Sequence, residues 1–195
     1  MCGAHEAAVH DVVQRWSALC SDLLPGHHPT TQPTASAPRL YVAAGRNARV
    51  SVSEEFVSIA PDACHAVVNA VTEVNVAEAG QVSLDYVNLE APGTLHFRTT
   101  LVQQGADSTF RLTEARVGGS LTRHDLGVQQ EGPDTFTSIR SFLLAGARQL
   151  HDLHSKLRYA PVAQLWTRAF FSPEVCPCGH THTLFMQAGA PEGRG

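Results

Sequence analysis

The sequence lacks the marks of several large functional classes. No apolar run approaches the ~20 residues that a membrane-spanning helix needs. Charged residues make up only 16% and the net charge is −4, so there is no basic footprint for nucleic acid or an anionic membrane. No phosphate loop occurs: Gly118-Gly119 is not followed by Gly-Lys-Ser/Thr or by a helical pattern, which excludes a Walker-type ATPase. No Asn-Gly or Asp-Gly pair marks a tight hairpin. The five cysteines, Cys2, Cys20, Cys64, Cys176 and Cys178, are odd in number and irregular in spacing. With no secretory signal visible, they point to a reducing compartment rather than a disulfide framework.

What the chain does have is regular punctuation. Gly80, Gly93, Gly105, Gly118, Gly132 and Gly146 follow one another at intervals of 13, 12, 13, 14 and 14 residues. Between them lie short runs such as 81–86, 95–101, 109–113 and 136–142. Val82, Leu84 and Tyr86, then Phe110 and Leu112, place apolar side chains at every second position, the period of a strand. Constant spacing without hairpin signals favours a stacked solenoid over an antiparallel sandwich. The expected fold is all-β: a right-handed parallel β-helix with about two intervals per coil, each coil burying its apolar face against its neighbours. Leu121, Phe136 and Leu150 are expected to point inward, and the turn glycines to supply unusual backbone angles.

This stretch carries a family resemblance. Gly118-Gly119-Ser120-Leu121-Thr122-Arg123-His124-Asp125, followed by Val128-Gln129-Gln130-Glu131-Gly132-Pro133-Asp134-Thr135, resembles the central β-helix of SufD, a scaffold subunit of the SUF iron–sulfur cluster assembly system. Leu153-His154-Ser155-Lys156-Leu157 is similar to the segment that follows in plastid forms. The resemblance runs from about Arg39 to Leu157.

The flanks read differently. Residues 1–26 hold Val9, Val12, Val13, Trp16, Leu19, Leu23 and Leu24 at helical spacing, stopped by Pro25-Gly26; this predicts an amphipathic helix covering the solenoid end. Residues 27–38 are a Pro-rich linker, in which His27 and His28 are expected to be solvated. Residues 39–157 form the core, with candidate strands at 40–42, 50–52, 56–59 and 67–76. Residues 158–195 form an irregular tail, with a short helix expected over 162–170 through Val162, Leu165, Trp166, Ala169 and Phe170. The resemblance stops at the start of this tail, so the chain reads as truncated after the central β-helix. The N-terminus carries Glu6 and Asp11 without Arg/Ser bias, which makes it a poor transit peptide.

Few residues offer chemistry. Cys176, Cys178, His180 and His182 are metal-ligand types and form the weak candidate metal set. Their alternation points them to two opposite faces of an extended strand, which argues against a native site. His124-Asp125, His151-Asp152 and His154 invite a catalytic reading, but no nucleophile pairs with them. His151 and His154 face opposite ways on a strand, whereas Asp152 and His154 share a face, as do Arg123 and Asp125. These side chains are expected to be solvated or hydrogen-bonded rung residues. Cys64-His65 reads as a small buried thiol beside an exposed imidazole. No catalytic residue is assigned, and the cofactor-binding residues are unknown.

The resemblance implies a non-enzymatic scaffold for iron–sulfur cluster assembly in the chloroplast stroma, pairing with SufB-like and SufC-like subunits, with no cofactor bound by the chain alone and the cluster held in the assembled complex. The family's cluster-linked histidine and its SufC-binding helices have no counterpart in the sequence. The alternatives are a β-helix enzyme acting on polysaccharide, which would need clustered carboxylates, and a metal-binding β-barrel.

Overall fold

The computed structural model describes residues 9–18, 33–58, 65–146, 148–159 and 166–172; for 9–18 and 166–172 it describes the backbone. The strands are β1 (Val9–Ala18), β2 (Thr34–Ser36), β3 (Arg39–Ala44), β4 (Arg49–Ser58), β5 (Ala66–Val76), β6 (Gln81–Leu89), β7 (Thr94–Gln104), β8 (Thr109–Arg116), β9 (Leu121–Gln130), β10 (Phe136–Leu143), β11 (Leu150–Tyr159) and β12 (Trp166–Ser172). They alternate between two sheets, one ordered β1-β4-β6-β8-β10-β12, the other β11-β9-β7-β5-β2 with β3 also on β5. Every pairing is parallel. The result is a parallel β-solenoid of about four turns, which overturns the sandwich and barrel alternatives. Leu95 pairs with Leu121, an advance of 26 residues per coil and twice the 13-residue turn interval.

Register turns each coil into a rung of the next. In the first sheet, Val52, Leu84, Leu112 and Ile139 stack inward on successive strands. In the second, Val74, Val102 and Val128 do the same. Together with Val42, Ala44, Val76, Val82, Phe110 and Leu126 they form one apolar core. This core fills one side of the coil. The other side of the interior is largely polar, around a small second apolar cluster of Phe56, Val68, Ala70 and Tyr86.

Several expectations change. Residues 9–18 are a strand parallel to β4, pairing Val12 with Val52 and Trp16 with Phe56, and not part of a helix. The open edge of β4 offers a row of backbone donors and acceptors, and pairing with it outweighs the helical spacing of the valines. Residues 166–172 likewise pair with β10 as β12 instead of forming a helix. Thr34–Ser36, at the end of the linker, pairs with β5. The candidate strands at 50–52 and 56–59 merge into the single strand β4.

The inward calls at Leu121, Phe136 and Leu150 are also corrected. Leu150 is 58% exposed, and Leu121 and Phe136 sit on the partly covered parity of their strands. The buried residues are their neighbours Thr122, Thr137 and, further along, His124 and Ile139. The turn glycines play another part as well. The left-handed corner is occupied by Asn47, Ala79, Asp107 and Asp134, all with φ between 56° and 58°. Gly118 and Gly132 serve stacking instead: a Cβ on Gly118 would sit 2.3 Å from the Glu90 amide nitrogen, and one on Gly132 2.4 Å from that of Ala106. At these two positions glycine is there because the preceding coil's backbone approaches, not because of backbone angle.

Candidate functional site

Among the described residues, two histidines lie wholly inside the solenoid. His96 on β7 and His124 on β9 occupy inward positions where the aliphatic stacks give way to polar ones. Opposite them, the first sheet presents Glu54, Tyr86 and Glu114 on one register row. The two sheets thereby bring residues distant in sequence into contact.

His96 places Nδ1 2.7 Å from Glu90 Oε2 and Nε2 3.3 Å from the Tyr86 hydroxyl. Asn88 Nδ2 donates to both Glu90 Oε2, at 2.8 Å, and the Tyr86 oxygen, at 3.3 Å. These partners assign the proton of His96 to Nδ1, with the Tyr86 hydroxyl donating to Nε2. Burial pushes the Tyr86 phenol well above its usual range. Phe56 meets the His96 ring edge-on at 4.7 Å.

His124 repeats the arrangement one coil on. Its Nδ1 is 2.7 Å from Glu114 Oε2, and its Nε2 is 2.9 Å from the Thr100 hydroxyl. Arg98 Nε donates to that hydroxyl at 3.2 Å, so Thr100 donates onward to Nε2 and His124 is neutral. Burial drives the His124 pKa down, and the Arg98 and Arg116 charges add to that against the pull of Glu114. For Glu114, burial works against the charge. The imidazole, Arg116 and the Ser141 hydroxyl at 2.5 Å overcome it and hold the carboxyl at about 2.

Two guanidiniums complete the interior. Arg98 pairs with Glu54 and lies 4.2 Å over the Tyr86 ring, a buried cation–π contact. Arg116 is 3.7 Å from Glu114 and donates to the Asp152 carbonyl at 2.7 Å. Among the described residues, three carboxylates, two guanidiniums and two imidazoles therefore share one buried compartment, bridged by Thr72 and Thr100. The arrangement fixes positions. Its imidazoles are hydrogen-bonded to the carboxylates of Glu90 and Glu114, while Arg98 Nη1 and Arg116 Nε and Nη2 are buried without a hydrogen-bond partner among the described residues.

The remaining sequence candidates lie on the outer face or beyond the described residues. Asp152 and His154 do share an outward face, with Nε2 3.1 Å from Oδ1, and His154 also approaches Asp125 at 3.7 Å. Arg123 and Asp125 form the expected surface pair at 3.2 Å, each more than a third exposed. His151 turns the opposite way, hydrogen-bonded through Nδ1 to Thr122 and donating Nε2–H to the Leu144 carbonyl at 3.0 Å. His124 is hydrogen-bonded, as one of the two readings had it, but inside the coil and not on the rung surface, at 0% exposure. His65 is exposed, whereas Cys64 lies outside the described residues, as do His27, His28 and the candidate metal set Cys176, Cys178, His180 and His182. Among the described residues no group of three or more metal-ligand side chains converges. Glu54, Glu90, His96, Arg98, Glu114 and Arg116 were not singled out by sequence. The strand Thr94-His96-Arg98-Thr100 carried the available sign, a period-two run of polar residues on one face.

Comparison with known proteins bears on this solenoid directly. The family model for the SufBD core domain of the SUF iron–sulfur cluster assembly system matches residues 27–161. The chloroplastic protein ABCI7 of Arabidopsis thaliana is 35% identical over 122 residues, covering 63% of this chain and 26% of its own length. An iron–sulfur cluster assembly SufBD family protein of Synechocystis sp. is 29% identical over 131 residues, covering 64% of this chain and 29% of its own. The chain thus spans between a quarter and a third of these curated relatives. No solved structure matches it. The matched span takes in β2 to β11 with the whole buried polar compartment, and the chain belongs to the SufBD core domain family of the SUF iron–sulfur cluster assembly system.

Proposed function

We propose that the chain is a non-enzymatic scaffold component of plastid iron–sulfur cluster assembly, pairing with SufB-like and SufC-like subunits. The observation that carries the reading is the coincidence of the family match with the solenoid, from residue 27 to 161. The name of the Arabidopsis relative supports the plastid assignment. The interior supports the scaffold role: the groups with catalytic chemistry are sealed between the sheets and spent on one another. What the coil presents outward is a set of regular side-chain rows suited to protein contact. The iron–sulfur cluster is cargo of the assembled complex and is not a resident group of this chain.

The test is co-purification. Tagged full-length chain expressed with SufB-like and SufC-like subunits of the same plastid should recover both in fixed proportion. Recovery of neither subunit, with the chain folded, would overturn the proposal.

A further inference from the structure

The outer face of the second sheet carries a groove of about 470 Å³. Its floor is Gly127, midway along β9, flanked in register by Leu101 on β7 and Lys156 on β11. The row continues through Glu73 on β5 to Tyr41 on β3. A glycine inside a strand marks a place where something approaches closely. Among the described residues no backbone comes closer than ordinary contact: a Cβ on Gly127 would meet the flexible tip of Leu101, at 3.2 Å, and Thr100 O at 4.0 Å. Leu101 and Tyr41 stay 48% and 65% exposed beside the notch.

The charges say what fits. Elsewhere on this face Arg123, Asp125, Asp152 and His154 are engaged with one another. Lys156, the only lysine of the chain, and Arg158 are exposed, share one face of β11 and have no ion-pair partner among the described residues. Glu73, without an ion-pair partner among the described residues, stands across the groove, next to Tyr41 at its far end. The amides of Gln103 and Gln129 line one side and can serve the donors and acceptors of an extended backbone. Three strand spacings of about 4.8 Å separate Glu73 from Lys156, so the charged ends lie roughly 14 Å apart, about four residues of extended chain.

We propose that this groove docks an extended peptide segment of a partner protein, with an apolar side chain in the Gly127 notch, a carboxylate on Lys156 and Arg158, and a cation about four residues away on Glu73. The inference rests on the groove itself and does not depend on the scaffold reading. Charge complementarity sets the direction of the bound segment, and the notch sets its register.

Selection of a random displayed-peptide library against the full chain tests it. The expected outcome is a consensus with an acidic residue, a central apolar residue and a basic residue at that spacing. A labelled consensus peptide should lose at least tenfold in affinity to Gly127→Leu and to the double variant Lys156→Glu/Arg158→Glu. Both substitutions face outward, so an unchanged melting temperature separates lost binding from lost fold. A consensus without an acidic residue, equal binding to all three proteins, or no consensus at all would overturn the proposal. So would self-association of the chain that Gly127→Leu abolishes, since the occupant would then be a second copy.

Discussion

Glu114 and His124 are ten residues apart in sequence, sit on different sheets, and meet at 2.7 Å with at most 1% of either side chain exposed. Their contact closes one coil of the solenoid across its interior. Removing Glu114 also leaves the buried Arg116 guanidinium without its carboxylate, which typically costs about 3–5 kcal/mol. Glu114→Ala is expected to destabilise by that amount in urea unfolding at pH 7.5. Glu114→Gln, which keeps an acceptor for the imidazole, should cost less than half as much. A loss below about 1 kcal/mol for the alanine variant would remove this pair from the account.

Acid should weaken the fold in two stages. His124 and His151 both titrate below the ordinary 6.5, chiefly through burial. The unfolded chain therefore takes up their protons first, and stability falls as pH drops below about 6.5. Glu114 is depressed from 4.5 to about 2, so its contribution is intact above about 4.5 and is lost as pH falls from there towards 2. Urea midpoints measured from pH 8 to pH 3 should show both slopes. His124→Gln should shrink the upper one, and an unchanged upper slope would contradict the assignment.

The coil corners separate two kinds of small residue. Gly118→Ala forces a Cβ to within 2.3 Å of the Glu90 amide nitrogen and 2.4 Å of its carbonyl oxygen. Backbone cannot swing aside as a side-chain tip does, so a loss of about 3 kcal/mol is expected. Gly127→Ala, facing only Leu101 and one distant carbonyl oxygen, should change stability by less than about 0.5 kcal/mol. Melting temperatures of the two variants compare them directly.

Ala79 holds φ at 56°, where its counterparts in other coils are Asn47, Asp107 and Asp134. Those side chains tolerate the left-handed region better than alanine does. Ala79→Asn is expected to stabilise by about 0.5–1 kcal/mol. A lower urea midpoint for this variant would show that the corner accepts alanine without strain.

Much of the architecture was legible in the sequence because two periodicities reinforced each other. The 13-residue turn interval and the alternation in Val82-Leu84-Tyr86 both require short stacked strands, and the pairing of Leu95 with Leu121 realises them. The interior was less legible. Apolar parity pointed Leu121 and Leu150 inward, but a side chain's face depends on what its neighbours on other coils offer. Thr122 and His124 are buried because Glu114, Thr100 and His151 complement them there, and those partners lie up to 29 residues away. The spacing of Val9, Val12, Val13 and Trp16 fits a helix, and only the free edge of β4 decides for a strand. The outer pairs Arg123–Asp125 and Asp152–His154 were readable, because residues two apart on a strand share a face wherever the strand lies.

The central claim is that the buried ionisable groups hold the coil together and that the work of assembly is done at its surface. The direct test is cluster assembly by a complex reconstituted from SufB-like and SufC-like subunits and this chain carrying His124→Gln with Glu114→Gln. The account predicts a lower melting temperature but unchanged cluster formation per folded complex. Loss of cluster formation with the fold and the complex intact would contradict it, because the buried pair would then take part in the chemistry itself.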